Sequence, residues 1–219
     1  MVAVSEPGRR ARRLASGGVI MEAATTLFLR NGFLGTSVDD IAALAHVSKQ
    51  TVYTHFTDKE QLFAELIRGN IARVDEFISA MPALPADEAD LEQHLRELAR
   101  RHIRAVIQPR ALQLRRLVIG EAGRFPDLAR AYYERVPQRV IGVLAEHLRQ
   151  LAERDFLRLE DPMRAANHLA WLVLGAPLDQ AMFCGDAGLP SPTELDELAD
   201  AAVDVFLAAY GVRSGGATA

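Results

Sequence analysis

Apolar residues recur at three- and four-residue intervals along nearly the whole chain, the spacing of one face of an α-helix. No sustained polar–apolar alternation appears, and no Asn-Gly or Asp-Gly pair sits between β-branched runs, so strands are not predicted. A first helix is predicted over 18–30, with Ile20, Ala23, Ala24, Leu27 and Phe28 as its apolar stripe. Asn31-Gly32 stops it, because glycine takes up the left-handed residue that ends many helices. Thr36 or Ser37 caps a short second helix whose first turn places Asp39 and Asp40 at the positive end of the dipole. A third short helix starts at Ser48. Thr57-Asp58-Lys59-Glu60 reads as a capping box opening a long helix to about Ala80, and Met81-Pro82-Ala83-Leu84-Pro85 closes it. Helical blocks follow at 91–106, 109–123, 126–153, 162–184 and 192–210. Pro137 and Pro177 fall inside two of them and predict kinks or breaks.

The expected fold is therefore all-α. A mobile basic arm is expected at 1–16, a helix-turn-helix head at 17–64, a larger helical body at 65–211, and a mobile tail at 212–219.

Composition narrows the class. The 219 residues are 49% apolar, enough to bury a core without disulfides or metals. The lone Cys184 excludes an intrachain disulfide and fits a reducing, cytoplasmic setting. Residues 1–20 carry Arg9, Arg10, Arg12 and Arg13 and no long apolar run, so neither a signal peptide nor a membrane partner is expected. The net charge of −4 argues against a general polyanion binder, yet residues 1–56 carry +2 and the rest −6. A basic segment on an acidic body fits a DNA-reading head on a larger domain; an ordinary fluctuation of surface charge gives the same numbers. The basic arm could enter a minor groove or be a solvated tail.

An enzyme reading finds little. No nucleophile, base and orienting group are arranged together, and there is no glycine-rich phosphate loop. His94 and His102 lack a metal-ligand spacing. No metal and no cofactor are expected.

In the head, Ile41, Leu44, Ala45, Val47, Val52 and Phe56 supply an inner apolar face. Ser48, Lys49, Gln50, Thr51, Tyr53 and His55 remain as donors and acceptors. Glutamine pairs bidentately with adenine and a threonine methyl meets thymine, while Lys, Ser and Tyr suit phosphates, which position without reading sequence.

The run Gly32-Phe33-Leu34-Gly35-Thr36-Ser37-Val38-Asp39-Asp40-Ile41-Ala42, then Ala45-His46-Val47-Ser48-Lys49-Gln50-Thr51-Val52-Tyr53-Thr54-His55-Phe56 and Lys59-Glu60-Gln61-Leu62-Phe63, closely resembles the head of the tetracycline-repressor (TetR) family. The likeness covers about residues 18–66. Residues 114–184, above all Gly120-Glu121-Ala122-Gly123-Arg124-Phe125-Pro126-Asp127-Leu128, are similar to the C-terminal domain of the multidrug-efflux-regulator-like (AcrR/AefR-like) branch. The resemblance implies a homodimeric repressor of palindromic double-stranded operator DNA, released by a small hydrophobic effector. It implies a phosphate contact for Thr36 and groove contacts for Lys49, Gln50 and Thr51, with Gln50 the main base reader. Tyr53 and His55 would hold phosphates, and Lys59 would meet the backbone. Thr36 also reads as a cap, Tyr53 as partly core, and His55 as a cover for the turn. His46 stands where the family usually has glycine, a left-handed position that histidine tolerates better than most residues.

In the body, polar groups interrupting apolar stripes mark a candidate pocket. Glu121 interrupts Leu114, Leu117, Val118 and Phe125; it would pair with an internal arginine or meet a cationic ligand. His102 sits on the stripe of Leu91, Leu95 and Leu98. His168, Trp171, Leu172, Asp179 and Met182 align along 162–184. The pocket expectation is thus His102, Leu117, Glu121, Phe125, His168, Trp171, Leu172 and Asp179. Leu195, Leu198, Ala202, Val205, Phe206 and Ala209 form a seam suited to a dimer interface or to an intrachain core. A helical adaptor that does not bind DNA is the alternative reading, and an enzyme a remoter one.

Overall fold

The structure, a computed structural model, describes residues 6–212. Residues 1–5 and 213–219 lie outside it, and with them the outer parts of the expected arm and tail. The side chains of residues 6–15, which include the four arginines of the arm, also lie outside the description. Ten α-helices are described: α1 (Glu6–Asn31), α2 (Val38–Leu44), α3 (Lys49–His55), α4 (Lys59–Ser79), α5 (Leu91–Val106), α6 (Pro109–Gly120), α7 (Pro126–Arg135), α8 (Pro137–Ala152), α9 (Pro162–Cys184) and α10 (Pro192–Tyr210). Among the described residues there is no strand, only one antiparallel bridge between Leu157 and Gly211. No described helix is long and apolar enough to cross a membrane.

The periodicity found the helices but misplaced some ends. Helix α1 begins at Glu6, well before residue 18. Pro137 does break its block, separating α7 from α8 as the first residue of the latter. Pro177 does not: α9 runs through it, with the ring buried. At the start of α4, Asp58 Oδ1 accepts from Gln61 N at 2.7 Å and Gln61 Oε1 accepts from Thr57 N at 2.6 Å. The reciprocal cap therefore uses Asp58 and Gln61, one residue beyond the expected Thr57–Glu60 pair.

The chain divides into two compact units, Met1–Ala72 with Leu117–Tyr132, and Arg73–Arg116 with Tyr133–Ala219. In the first, α1 packs on α2 and α3, and α2 on α3. Ile20 and Phe28 of α1, Ile41 of α2, Val52 of α3, and Leu62 and Ile67 of α4 are buried to 1% exposure or less. Phe28, Phe33 and Phe63 form an aromatic cluster, and Phe125 joins it 5.0 Å from Phe33 and 5.2 Å from Phe63. That contact recruits 117–132, which the sequence pattern had placed wholly in the second domain.

The second unit is built on α5 against α10, α8 against α9, and α9 against α10. Leu95, Ile103, Leu148, Ala165, Val203 and Phe206 fill its core. Along α5 and α10 runs a ladder of ion pairs: Arg96 with Asp204 at 2.6 Å, Arg100 bidentate with Asp200 at 2.7 and 2.5 Å, and Arg104 with Asp196. Each set repeats every four residues, so one helical face presents its whole charge row to the other.

Candidate nucleic-acid interface and effector pocket

The head is organised by its caps. Ser37 Oγ accepts from Asp40 N, and the Asp40 carboxylate accepts from Ser37 N at 3.1 Å, closing a capping box on α2. Those bonds from Ser37 hold the Asp40 pKa below its ordinary value. Helix α2 ends at Ala45. His46 follows at φ 53, its N–H reaching Ala43 O and that of Val47 reaching Ala42 O. This is the Schellman arrangement, in which a left-handed residue lets the chain reverse onto the helix end. The turn thus keeps its glycine-like geometry with a histidine in place. His46→Gly is expected to stabilise the head by up to about 1 kcal/mol, a left-handed residue with a side chain being strained; thermal melting of the two proteins measures it.

Ser48 caps α3, its Oγ accepting from Thr51 N at 3.1 Å. Val52 anchors the inner face at 1% exposure. This leaves Lys49, Gln50, Tyr53 and Thr54 exposed on the outer face, with Thr51 and His55 half-buried beside them. The Lys49 ammonium is held by Asp39 of α2 at 2.9 Å, a contact that raises its pKa and orients it without burying it. Thr54 was not among the expected contact residues. Its spacing of four from Gln50 was the available signal, and its hydroxyl donates to Gln50 O at 2.8 Å.

Two expected DNA contacts are used otherwise. Thr36 is 1% exposed and its hydroxyl donates to Gly32 O at 2.8 Å, so it shapes the turn before α2 and presents nothing to a phosphate. Lys59 Nζ donates to Phe33 O at 2.9 Å and Thr36 O at 2.8 Å, and lies 4.3 Å from the centre of the Phe33 ring. Its charge closes the turn between α1 and α2 from below. His55 is half-buried, and a Cβ added to Gly17 of α1 would lie 3.4 Å from its Nδ1.

The expected pocket residues are not brought together. Leu117, Glu121 and Phe125 belong to the first unit, and the crevice that Glu121 lines with Phe63, Ile67 and Phe125 has no room for even a water molecule. Helix α6 stops at Gly120, and Glu121 O accepts the N–H groups of Arg124 and Phe125 in the turn that follows. Among the described residues, no basic nitrogen lies within salt-bridge distance of the Glu121 carboxylate. His168, Trp171, Leu172 and Asp179 lie on the outer side of α9, with Trp171 59% and Leu172 43% exposed. His168 Nδ1 meets Tyr210 OH at 2.6 Å, tying α9 to α10. The reason is that α9 carries two apolar stripes, and Ala166, Leu169, Val173, Leu178 and Ala181 face the core instead.

Of the expected set, His102 alone lines a small, mainly apolar cavity in the second unit. This cavity holds about 30 Å³ and is walled by Phe77, Met81, Leu98, Arg101, Leu144 and Val173 among others. Burial, with the nearby Arg115 charge, pushes His102 down to about 4, so its imidazole is neutral near pH 7. Arg101, next to it in sequence, was missed because an arginine beside an apolar stripe reads as a solvated edge.

A three-helix head with a capped, outward-facing polar helix, joined to a separate helical unit, defines a helix-turn-helix regulator. The comparisons with known proteins agree. Residues 20–66 match the family model described as bacterial regulatory proteins, tetR family, and residues 93–212 match the AefR-like transcriptional repressor, C-terminal domain. The chain belongs to the TetR family of transcriptional regulators, with an AefR-like C-terminal domain. That family consists of regulators and not of enzymes. A crystal structure of a protein from Mesorhizobium loti, ascribed to the TetR-family regulators, is 39% identical, with 92% of this chain and 99% of that one covered at a TM-score of 0.80. The flavonoid-responsive regulator FrrA is 35% identical, with 91% and 99% covered and a TM-score of 0.69. The helix-turn-helix regulator YhgD of Bacillus subtilis is 40% identical over 74 residues, 32% of this chain and 38% of YhgD. The chain spans little more than a third of the length of several such curated relatives.

Proposed function

We propose that this protein is a cytoplasmic repressor that binds a palindromic operator as a homodimer and is released by a small hydrophobic effector. The observation that carries the reading is the outer face of α3, where Lys49, Gln50, Tyr53 and Thr54 project from a helix locked by its Ser48 cap and by Val52. Gln50 reads a base edge in the major groove, Lys49 and Thr51 flank it, and Ser48, Tyr53 and His55 hold phosphates. Two heads must meet half-sites about 34–36 Å apart, or a multiple of that. The second copy is held by the exposed apolar residues of α9 and α10, among them Trp171, Leu172, Leu198 and Val205. An effector that favours the protein conformation mismatched to the operator weakens DNA binding by linkage. The response of FrrA to flavonoids supports a small hydrophobic effector here.

Footprinting on the DNA upstream of the protein's own coding sequence tests this. Binding is expected to fall steeply with salt, as phosphate contacts release counterions; a response flat in salt would leave a helical adaptor instead. Gln50→Ala is expected to relax base preference at one operator position by about 1–3 kcal/mol. A variant that ranks operator bases as the native protein does removes Gln50 from the role of reader.

A further inference from the structure

We propose that the effector cavity takes a small hydrophobic acid, an aromatic or alkyl carboxylate or an ionised phenol, whose anionic group is bound by Arg101. This deepens the effector reading above and rests on it.

The cavity walls are apolar except at Arg101 and His102. Three other arginines of α5, Arg96, Arg100 and Arg104, each hold a carboxylate of α10. Arg101 does not: among the described residues, no carboxylate lies within salt-bridge distance of it. Its guanidinium makes one long hydrogen bond, 3.3 Å to Phe77 O near the end of α4, and lies 5.2 Å from the centre of the Phe77 ring. Most of its N–H donors therefore have no protein partner among the described residues, although the group stands in an apolar wall.

A guanidinium that meets no carboxylate among the described residues is open to an anion, and its planar fork matches a carboxylate bidentately. The rest of the local field has the same sign. Arg115 lies close enough to disfavour a proton on His102, and His102 itself is neutral. A neutral imidazole donates to a ligand oxygen without adding charge. Among the described residues no acidic side chain lines the cavity, so a cation would meet repulsion and no partner there. The Glu121 carboxylate, expected to pair with an internal arginine or to meet a cationic ligand, lines a different crevice.

At about 30 Å³ the cavity suits water and not an aromatic ring. A ligand must widen it, and the movable walls are Phe77 and Met81. Methionine is unbranched and repacks readily. The Phe77 ring, already stacked on Arg101, would share the guanidinium with the incoming acid.

The test uses the full-length protein with three isosteric probes: 4-tert-butylbenzoate, the neutral 4-tert-butylbenzamide and the cationic 4-tert-butylbenzylamine. Titration calorimetry and thermal shift are read at neutral pH on the native chain, Arg101→Met and Arg101→Lys. The benzoate is expected to bind at least roughly tenfold more tightly than the amide, with the amine weakest. Arg101→Met should remove the preference of acid over amide while retaining binding of the amide, and Arg101→Lys should restore part of it. Retained amide binding also shows that the variant is folded. Equal binding of acid and amide, stronger binding of the amine, or no binding of any probe at millimolar concentration overturns the proposal. Operator footprints with the same probes keep the two readings apart. Benzoate that binds through Arg101 without releasing DNA defeats the repressor reading alone, and release by the amine alone defeats the acid assignment alone.

Discussion

Phe33→Ala is expected to destabilise the N-terminal unit by about 3–5 kcal/mol, the usual cost of emptying a buried aromatic site. Phe33 is fully buried and touches Phe28, Phe63 and Phe125 at centroid distances of 5.8, 5.3 and 5.0 Å. The substitution removes those contacts and also the ring beneath the Lys59 ammonium and the Arg124 guanidinium, at 4.3 and 4.9 Å. Domains have total stabilities of only about 5–15 kcal/mol, so the substitution should remove a large share of the stability of the head. Phe33→Leu, which keeps most of the volume, should cost distinctly less. Denaturant unfolding followed by circular dichroism checks this. A loss below about 1 kcal/mol for the alanine variant would contradict the packing around Phe33. Operator binding should fall with the folded fraction, although Phe33 faces no DNA.

Acidification is expected to destabilise the second unit before its carboxylates titrate. Burial lowers the pKa values of three histidines from an ordinary 6.5: His102 and His147 to about 4, and His94 downward against the opposing charge of Glu97. His94 and His147 stack with their Nε2 atoms 2.6 Å apart. In the neutral pair one ring donates and the other accepts, whereas two protonated rings would set N–H against N–H. The folded chain keeps these imidazoles neutral while the unfolded chain protonates them near 6.5. Between those limits the unfolded state holds more protons, so stability is complete above about pH 6.5. It falls as the pH drops below 6.5, by at most about 1.4 kcal/mol per pH unit for His102 and by less for His94 and His147. Carboxylates with lowered pKa values, such as Asp200 beside Arg100 and Asp186 beside Arg116, begin to lose their contribution only below about pH 5. The two losses are thus separated in pH. Denaturant midpoints measured from about pH 7 to 5 should decline, and His147→Gln should flatten the decline. Midpoints that do not move over that range would rule out the buried neutral histidines.

The head was legible in the sequence because local rules write most of it. Ser37 and Ser48 are caps by residue type and position, Asn31-Gly32 is a stop, and the spacing of Ile41, Ala45 and Val52 marks the inner face before any contact is known. The outer face of α3 follows by subtraction. Local rules do not say how a long side chain spends its charge. The resemblance gives Lys59 and Thr36 contacts to the DNA backbone, yet their donors meet backbone carbonyls of the turn before α2.

The body was legible as helices and illegible as a site. In α9 the stripe of Leu169, Val173 and Leu178 and the stripe of Trp171, Leu172 and Gly175 satisfy the helical period equally. In α10 the single seam divides: Leu195, Ala202 and Phe206 are buried within the chain, while Leu198 and Val205 remain exposed. Periodicity measures an angle around one helix axis, and nothing in it says which neighbour occupies that angle.

By itself, then, the sequence determined the helices, the Ser37 and Ser48 caps, the His46 turn and most of the polar row of α3, because each depends on residues within a few positions of one another. Only the tertiary structure decided that Phe125 joins the aromatic cluster of the head, that Glu121 lines a crevice too tight for water, and that Arg101, beside His102, meets no carboxylate among the described residues. Those outcomes depend on partners distant in sequence, whose approach is set by competing burial across the whole unit.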